Sequence, residues 1–286
     1  MNRKKIRSVL LAAALLICCL GGCRGQDRTE CPVIAATTWP VYQFAAAVCQ
    51  GTDLDVRQVI GGKISCLHDY SLTVRQMEVI EQADVVILSG CELESFLNDA
   101  LAGCDTVVEC SGGVELLESD EGTDPHIWLD PDNAAIMVQN IADAMQALYP
   151  QYETLLQANA KACITRLTEL KQYGDEITKD LSCRELVTFH DGFAYFAKAF
   201  DLTILAAIEE EDGATASARM LEQIITLVEQ HRLPAIFVET NGSTSAASVI
   251  EAETGAAVYT LSMAMSGDDY FTVMRQNLDT IKEALG

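Results

Sequence analysis

The sequence predicts an α/β protein of two lobes, each with a mainly parallel sheet flanked by helices, joined by a long helical spine. Three observations predict it. Strand-like runs alternate with helical runs from residue 33 to 108, and the same alternation resumes from 186 to 285. Between them, Leu156, Ala160, Cys163, Leu167 and Leu170 recur at three- and four-residue steps and form one apolar stripe on a long helix. Strands alternating with helices build parallel sheets, because each crossover returns the chain in the same direction.

The elements follow in order. A strand at 33–37 is followed by a helix at 41–48 and a strand at 53–60. The helix at 74–82 starts after Thr73, which has capping-box spacing to Gln76. A buried strand at 85–88, a short helix at 94–101 and a short strand at 106–108 continue the pattern. Residues 115–124 (ELLESDEGTD) are the one charge-dense loop. Asp130-Pro131 opens the next helix, with Asp as N-cap and Pro at the first helical position. Pro150 then begins the spine, which runs to Asp180 and would span about 45 Å. In the second half, strands are expected at 186–189, 203–206, 235–238 and 258–261, with helices at 193–200, 217–230, 245–254 and 270–285.

The first residues read as an export signal. Arg3, Lys4, Lys5 and Arg7 precede a wholly apolar run at 9–20. That run is too short for a stable membrane-spanning helix, which needs about 20 residues. It ends Leu20-Gly21-Gly22-Cys23, which resembles a bacterial lipobox, cut before the Cys so that Cys23 carries lipid. The mature chain is then extracytoplasmic and held to the cell membrane by Cys23. The expected organisation is a signal at 1–22, a tether at 23–30, a first α/β lobe at 31–149, a connecting helix at 150–182 and a second lobe at 183–286.

The net charge of −23 becomes −27 when the four signal cations leave. Nucleic-acid phosphates would be repelled by such a surface, so nucleic acid is excluded as a partner. The same acidity would draw cations toward the chain, or simply keep it soluble. Eight cysteines remain beyond Cys23. Export permits disulfides, but the spacing is irregular and a core of this size needs no staples. Structural thiols and one or two bridges are both open.

Only four histidines occur. His68 lies in Cys66-Leu67-His68-Asp69-Tyr70, His126 in Asp124-Pro125-His126-Ile127-Trp128, and His190 in Phe189-His190-Asp191-Gly192. All three fall on strand-to-helix loops, where open α/β sheets bind ligands. Each has an Asp within two residues, and such acids can orient a ligating imidazole. Taken singly, each is an ambiguous signal, and no local zinc motif is present. His231 differs: it sits at a helix C-terminus, where a cationic or polar residue is favourable.

With these residues in place, the chain resembles the metal-binding lipoproteins of bacterial ABC importers for zinc and manganese, a cluster of solute-binding proteins with a rigid helical backbone. The resemblance covers essentially the whole mature chain. It rests on Thr37-Thr38-Trp39-Pro40, His68-Asp69-Tyr70, Gln82-Ala83-Asp84-Val85-Val86, Phe189-His190-Asp191-Gly192-Phe193-Ala194-Tyr195-Phe196 and Ile236-Phe237-Val238-Glu239. The run 124–131, DPHIWLDP, is the most specific. It implies that His68 and His126 from the first lobe and His190 from the second hold the ion, and that an ABC permease receives it. A monomer that is not an enzyme is expected.

The chain also departs from that family. Its members often supply a carboxylate ligand after the last strand, and here that position is Ser262. Water or another acid could fill it, and Glu239 is the acid to test first, as a fourth ligand or as a hydrogen-bonding neighbour. Cys66 is a further donor within reach by sequence. The acidic loop at 115–124 contains no His, which weakens any auxiliary capture role. Three imidazoles suit Zn(II), and also Cu(II) or Ni(II), whereas Mn(II) prefers a larger share of oxygen ligands. The alternatives are a zinc-dependent hydrolase, which would need a general base beside a bound water, or a surface adhesin on the same scaffold.

Overall fold

The computed structural model describes residues 31–61, 70–119, 122–208, 217–240 and 244–286. The export signal, Cys23, Cys66 and His68 lie outside the described residues. Residues 32–286 form one unit. Its first sheet holds β1 (Val33–Ala36), β2 (Asp55–Gln58), β3 (Val85–Leu88) and β4 (Val107–Glu109) in the order β2-β1-β3-β4, all parallel. The flanking helices are α1 (Trp39–Val48), α2 (Val74–Glu81), α3 (Asn98–Leu101) and α4 (Pro131–Leu148). β1 and β3 are buried at every residue, which explains why they read as continuous apolar runs rather than alternating ones.

The second lobe repeats the plan. β7 (Glu185–Thr188), β8 (Thr203–Ala207), β9 (Ala235–Glu239) and β10 (Ala257–Leu261) pair in the order β10-β9-β7-β8, again all parallel. Its helices are α6 (Ala194–Ala199), α7 (Ala218–His231), α8 (Ser245–Thr254) and α9 (Tyr270–Leu285). The two-lobed α/β architecture is therefore the one expected. Local signals set the helix starts. Thr73 and Gln76 form the reciprocal capping box at α2, and Asp130 Oδ1 accepts from Asp132 N at 2.8 Å at α4.

Several details differ from expectation. α1 begins two residues early, because Pro40 fits the first helical turn, where no N–H is needed. The region 94–101 splits into a 3-10 turn and the short α3. The acidic loop carries a two-stranded antiparallel hairpin, β5 (Glu118–Ser119) with β6 (Gly122–Thr123). Strands of two residues among acidic side chains carry no alternation, which hid them. Among the described residues all seven cysteines are free thiols. Cys49, Cys110 and Cys163 are buried, and desolvation pushes the Cys49 thiol up to about 12. These thiols act as small apolar side chains and are unreactive.

The spine is α5 (Glu153–Thr178), entered through a 3-10 turn at Pro150–Tyr152. At 26 residues it is about 39 Å long. The foreseen stripe is its buried face, continued by Gly174 and Thr178. It packs on α1 and α4 of the first lobe and on α9 of the second. The α9 helix also reaches the first lobe: Tyr270 meets the Phe44 ring edge-on at 4.9 Å, and its hydroxyl donates to Trp128 O at 2.5 Å.

Gly174 lets the spine lie directly on the second lobe. A β-carbon there would fall 2.0 Å from Phe200 Cε1. Helix propensity alone would favour Gly174→Ala by about 1 kcal/mol. The overlap with a buried ring reverses the sign, since overpacking costs about 1–3 kcal/mol. We expect a net loss of about 1 kcal/mol, read as a fall of roughly 2 to 4 °C in thermal unfolding. A variant melting above the parent would refute this packing.

Candidate metal centre

Strand order reverses beside β7 in the second sheet: β8 lies to one side and β9 to the other. Open sheets leave a crevice at the carboxyl ends of such strands. His190 leaves β7 at that end, and Glu239 is the last residue of the adjacent β9. Phe189 N donates to Phe237 O at 2.9 Å, extending the β7–β9 ladder to the residue before His190.

His126 reaches the same crevice from the first lobe. It follows the β5–β6 hairpin and caps a 3-10 turn at Ile127–Leu129. Asp124 fixes it, its Oδ1 accepting from His126 N at 2.9 Å and contacting Nδ1 at 2.8 Å. Asp124 is itself held: its N donates to Leu117 O at 2.8 Å, and its carbonyl accepts from the Tyr195 hydroxyl at 3.1 Å. That hydroxyl also accepts from Leu117 N at 2.8 Å. A side chain on α6 thus pins the hairpin of the opposite lobe. Trp128 adds a second tie across the lobes, its indole donating to Met263 O at 2.8 Å.

The outcome is two imidazoles facing each other. His126 Nε2 and His190 Nε2 are 3.5 Å apart, with ring planes at 87°. Hydrogen bonding at Nδ1 puts the His126 proton there and leaves the Nε2 lone pair facing the crevice. Two nitrogens bound tetrahedrally to one zinc ion at 2.0–2.1 Å stand about 3.3 Å apart, so the observed spacing matches shared coordination. His126 is buried, and His190 is half-buried at the crevice.

Behind His190, Glu239 Oε2 lies 3.9 Å from Nδ1, on the edge turned away from His126. Glu239 is 7 % exposed, and burial pushes its carboxyl up to about 7. Each ring therefore has a carboxylate group near Nδ1 and the other ring near Nε2. Among the described residues, no three His, Cys, Asp or Glu side chains are arranged to hold a metal. His68 is outside them, so the described centre is a two-imidazole part. His231 is elsewhere, with Nδ1 2.9 Å from Glu185 Oε2 at the end of α7.

Sequence reading missed three contributors. Gly192 leaves room between the rings: a β-carbon there would lie 2.7 Å from His190 Cδ2 and 3.0 Å from His126 Cε1. The Tyr195 hydroxyl and the Trp128 indole act over 71 and 135 residues of chain, respectively. Gly192 and Trp128 each lie two residues after a histidine, which was the local signal they carried.

Known proteins share this fold. The family described as zinc-uptake complex component A, periplasmic (ZnuA), matches residues 34–284. The zinc-binding protein AdcA of Streptococcus pyogenes serotype M6 is 26% identical over 285 residues, covering 87% of this chain and 55% of the relative. The chain thus spans about half the length of such relatives. A crystal structure of ZnuA superposes with a TM-score of 0.80 at 26% identity, over 89% of this chain and 99% of that one. The laminin-binding protein Lmb of Streptococcus agalactiae, described as bifunctional with adhesin and metal-transporting activity, gives 0.79 at 26% identity, over 89% and 100%.

Proposed function

Because the chain belongs to the zinc-uptake complex component A family, we propose that it captures Zn(II) outside the cytoplasmic membrane and delivers it to an ABC import permease. The family is a transport component rather than an enzyme. The carrying observation is the 3.5 Å approach of the His126 and His190 Nε2 atoms, one from each lobe. His68 supplies the third imidazole in this reading. Asp124 orients the His126 ring through Nδ1, which raises its basicity as a ligand, and Glu239 stands 3.9 Å from His190 Nδ1, where it can approach the ring or the ion. Three neutral imidazoles favour Zn(II) over Mn(II).

In the same reading, Cys23 carries the lipid anchor, residues 1–22 are removed, and 23–30 form the tether. Residues 31–149 and 183–286 act as two jaws on the 150–182 helix, and the protein works as a monomer. Likeness to Lmb supports a second role, adhesion on the same scaffold. The deciding experiment is metal analysis of untagged protein followed by competition titration. One zinc per chain, bound reversibly and without turnover, is the expected result. Purified folded protein that takes up no zinc would defeat the proposal.

A further inference from the structure

The segment after β10 borders the two imidazoles. Ser262 is fully engaged: Asn277 Oδ1 accepts from its N at 2.8 Å and Asn277 Nδ2 donates to its carbonyl at 2.7 Å. Its hydroxyl accepts from Ala264 N at 3.1 Å. Met263 follows, 2 % exposed, with its carbonyl held by the Trp128 indole at 2.8 Å. Ala264 then turns with a left-handed φ of 52°. The Met263 backbone is fixed on both sides, by a hydrogen bond and by a turn.

Its side chain reaches the centre. A β-carbon placed on Gly192 would be 2.4 Å from Met263 Cε, 2.7 Å from His190 Cδ2 and 3.0 Å from His126 Cε1. Those two ring carbons are each bonded to the Nε2 atom of their ring. The thioether methyl and both metal-facing ring edges therefore border one gap. A carboxylate carried on residue 263 itself would stand in this gap, beside both rings.

We propose that Met263 is a specificity-determining residue of this centre. Its soft, uncharged side chain closes the approach of an oxygen ligand from this side of the centre, so the segment after β10 brings no anionic oxygen to the two imidazoles. Zinc tolerates neutral nitrogen donors. Manganese binds nitrogen donors more weakly and depends on anionic oxygen, so it is disfavoured. The inference rests on the zinc-site reading above and names what sets its selectivity.

The test compares Zn(II) and Mn(II) affinities of the full-length protein and of Met263→Glu, Met263→Gln and Met263→Leu, with thermal unfolding to confirm that each is folded. Met263→Glu is expected to lower the zinc-to-manganese affinity ratio at least tenfold, chiefly by gaining manganese. Met263→Gln, with a neutral oxygen, should shift it less and in the same direction, and it serves if the Glu variant does not fold. Met263→Leu should keep the ratio within threefold. An unchanged ratio in folded Glu and Gln variants would overturn the proposal, as would a Leu variant shifted as far as the Glu one. Parent protein binding neither metal would overturn the zinc site itself, an outcome distinct from zinc binding with an unmoved ratio.

Discussion

Replacing His126 or His190 with alanine is expected to weaken zinc binding at least tenfold in competition titration, about 1.4 kcal/mol or more. Each change removes one of two nitrogens that stand 3.5 Å apart. Water must then fill the coordination position that the lost imidazole held. His231→Ala supplies the control. Its imidazole contacts Glu185 at the end of α7, away from the crevice, and zinc affinity should stay within twofold. His126→Ala also withdraws a partner from Asp124, which is 3 % exposed. Some loss of stability should accompany it, because a buried carboxylate that loses a hydrogen-bond partner costs about 1–3 kcal/mol. Unfolding curves recorded beside the titration separate the two effects. Full affinity in a triple variant that also carries His68→Ala would sink the site.

Gly192→Ala is expected to weaken zinc binding by at least tenfold as well, while leaving the fold largely intact. Gly192 does not have a left-handed φ, so the added methyl carries no backbone penalty. The conflict is local. The Met263 methyl, 2.4 Å away, ends a flexible side chain and can swing aside. The two ring carbons cannot yield without carrying their Nε2 atoms with them, and Asp124 and the β7 terminus hold those rings in place. Displacing a ligand nitrogen by a few tenths of an ångström is enough to spoil a bond of 2.0–2.1 Å. A variant with parental zinc affinity and a depressed melting temperature would show that the gap serves packing alone.

The fold was legible because its signals are local. Thr73 with Gln76 and Asp130 with Pro131 each announce a helix start within four residues, and both caps form as read. The Leu156-to-Leu170 stripe marked the buried face of the spine because one helix turn repeats every 3.6 residues. The β5–β6 hairpin was hidden, since two-residue strands carry no periodicity. The centre was legible only in part. Loop position and a neighbouring acid nominated His126 and His190, and Asp124 does grip His126. For His190 the carboxylate found at Nδ1 is Glu239, from the adjacent strand, and only strand order could reveal that. The approach of two rings 64 residues apart, and the Tyr195 and Trp128 ties between lobes, depend on tertiary packing that no window of sequence contains.

The placement of α9 bears on how the molecule is made. A ribosome delivers residues 33–148 long before 270–285, yet Tyr270 is the ring that covers Phe44 and holds the Trp128 carbonyl. Until it arrives, the first sheet and its helices present an uncovered apolar face, and the spine lacks the partner for one of its sides. Such long-range closure is slow compared with helix formation. The half-made chain is therefore sticky rather than independently stable. The last helix to be made is the one that closes over Phe44 and Trp128 of the first lobe.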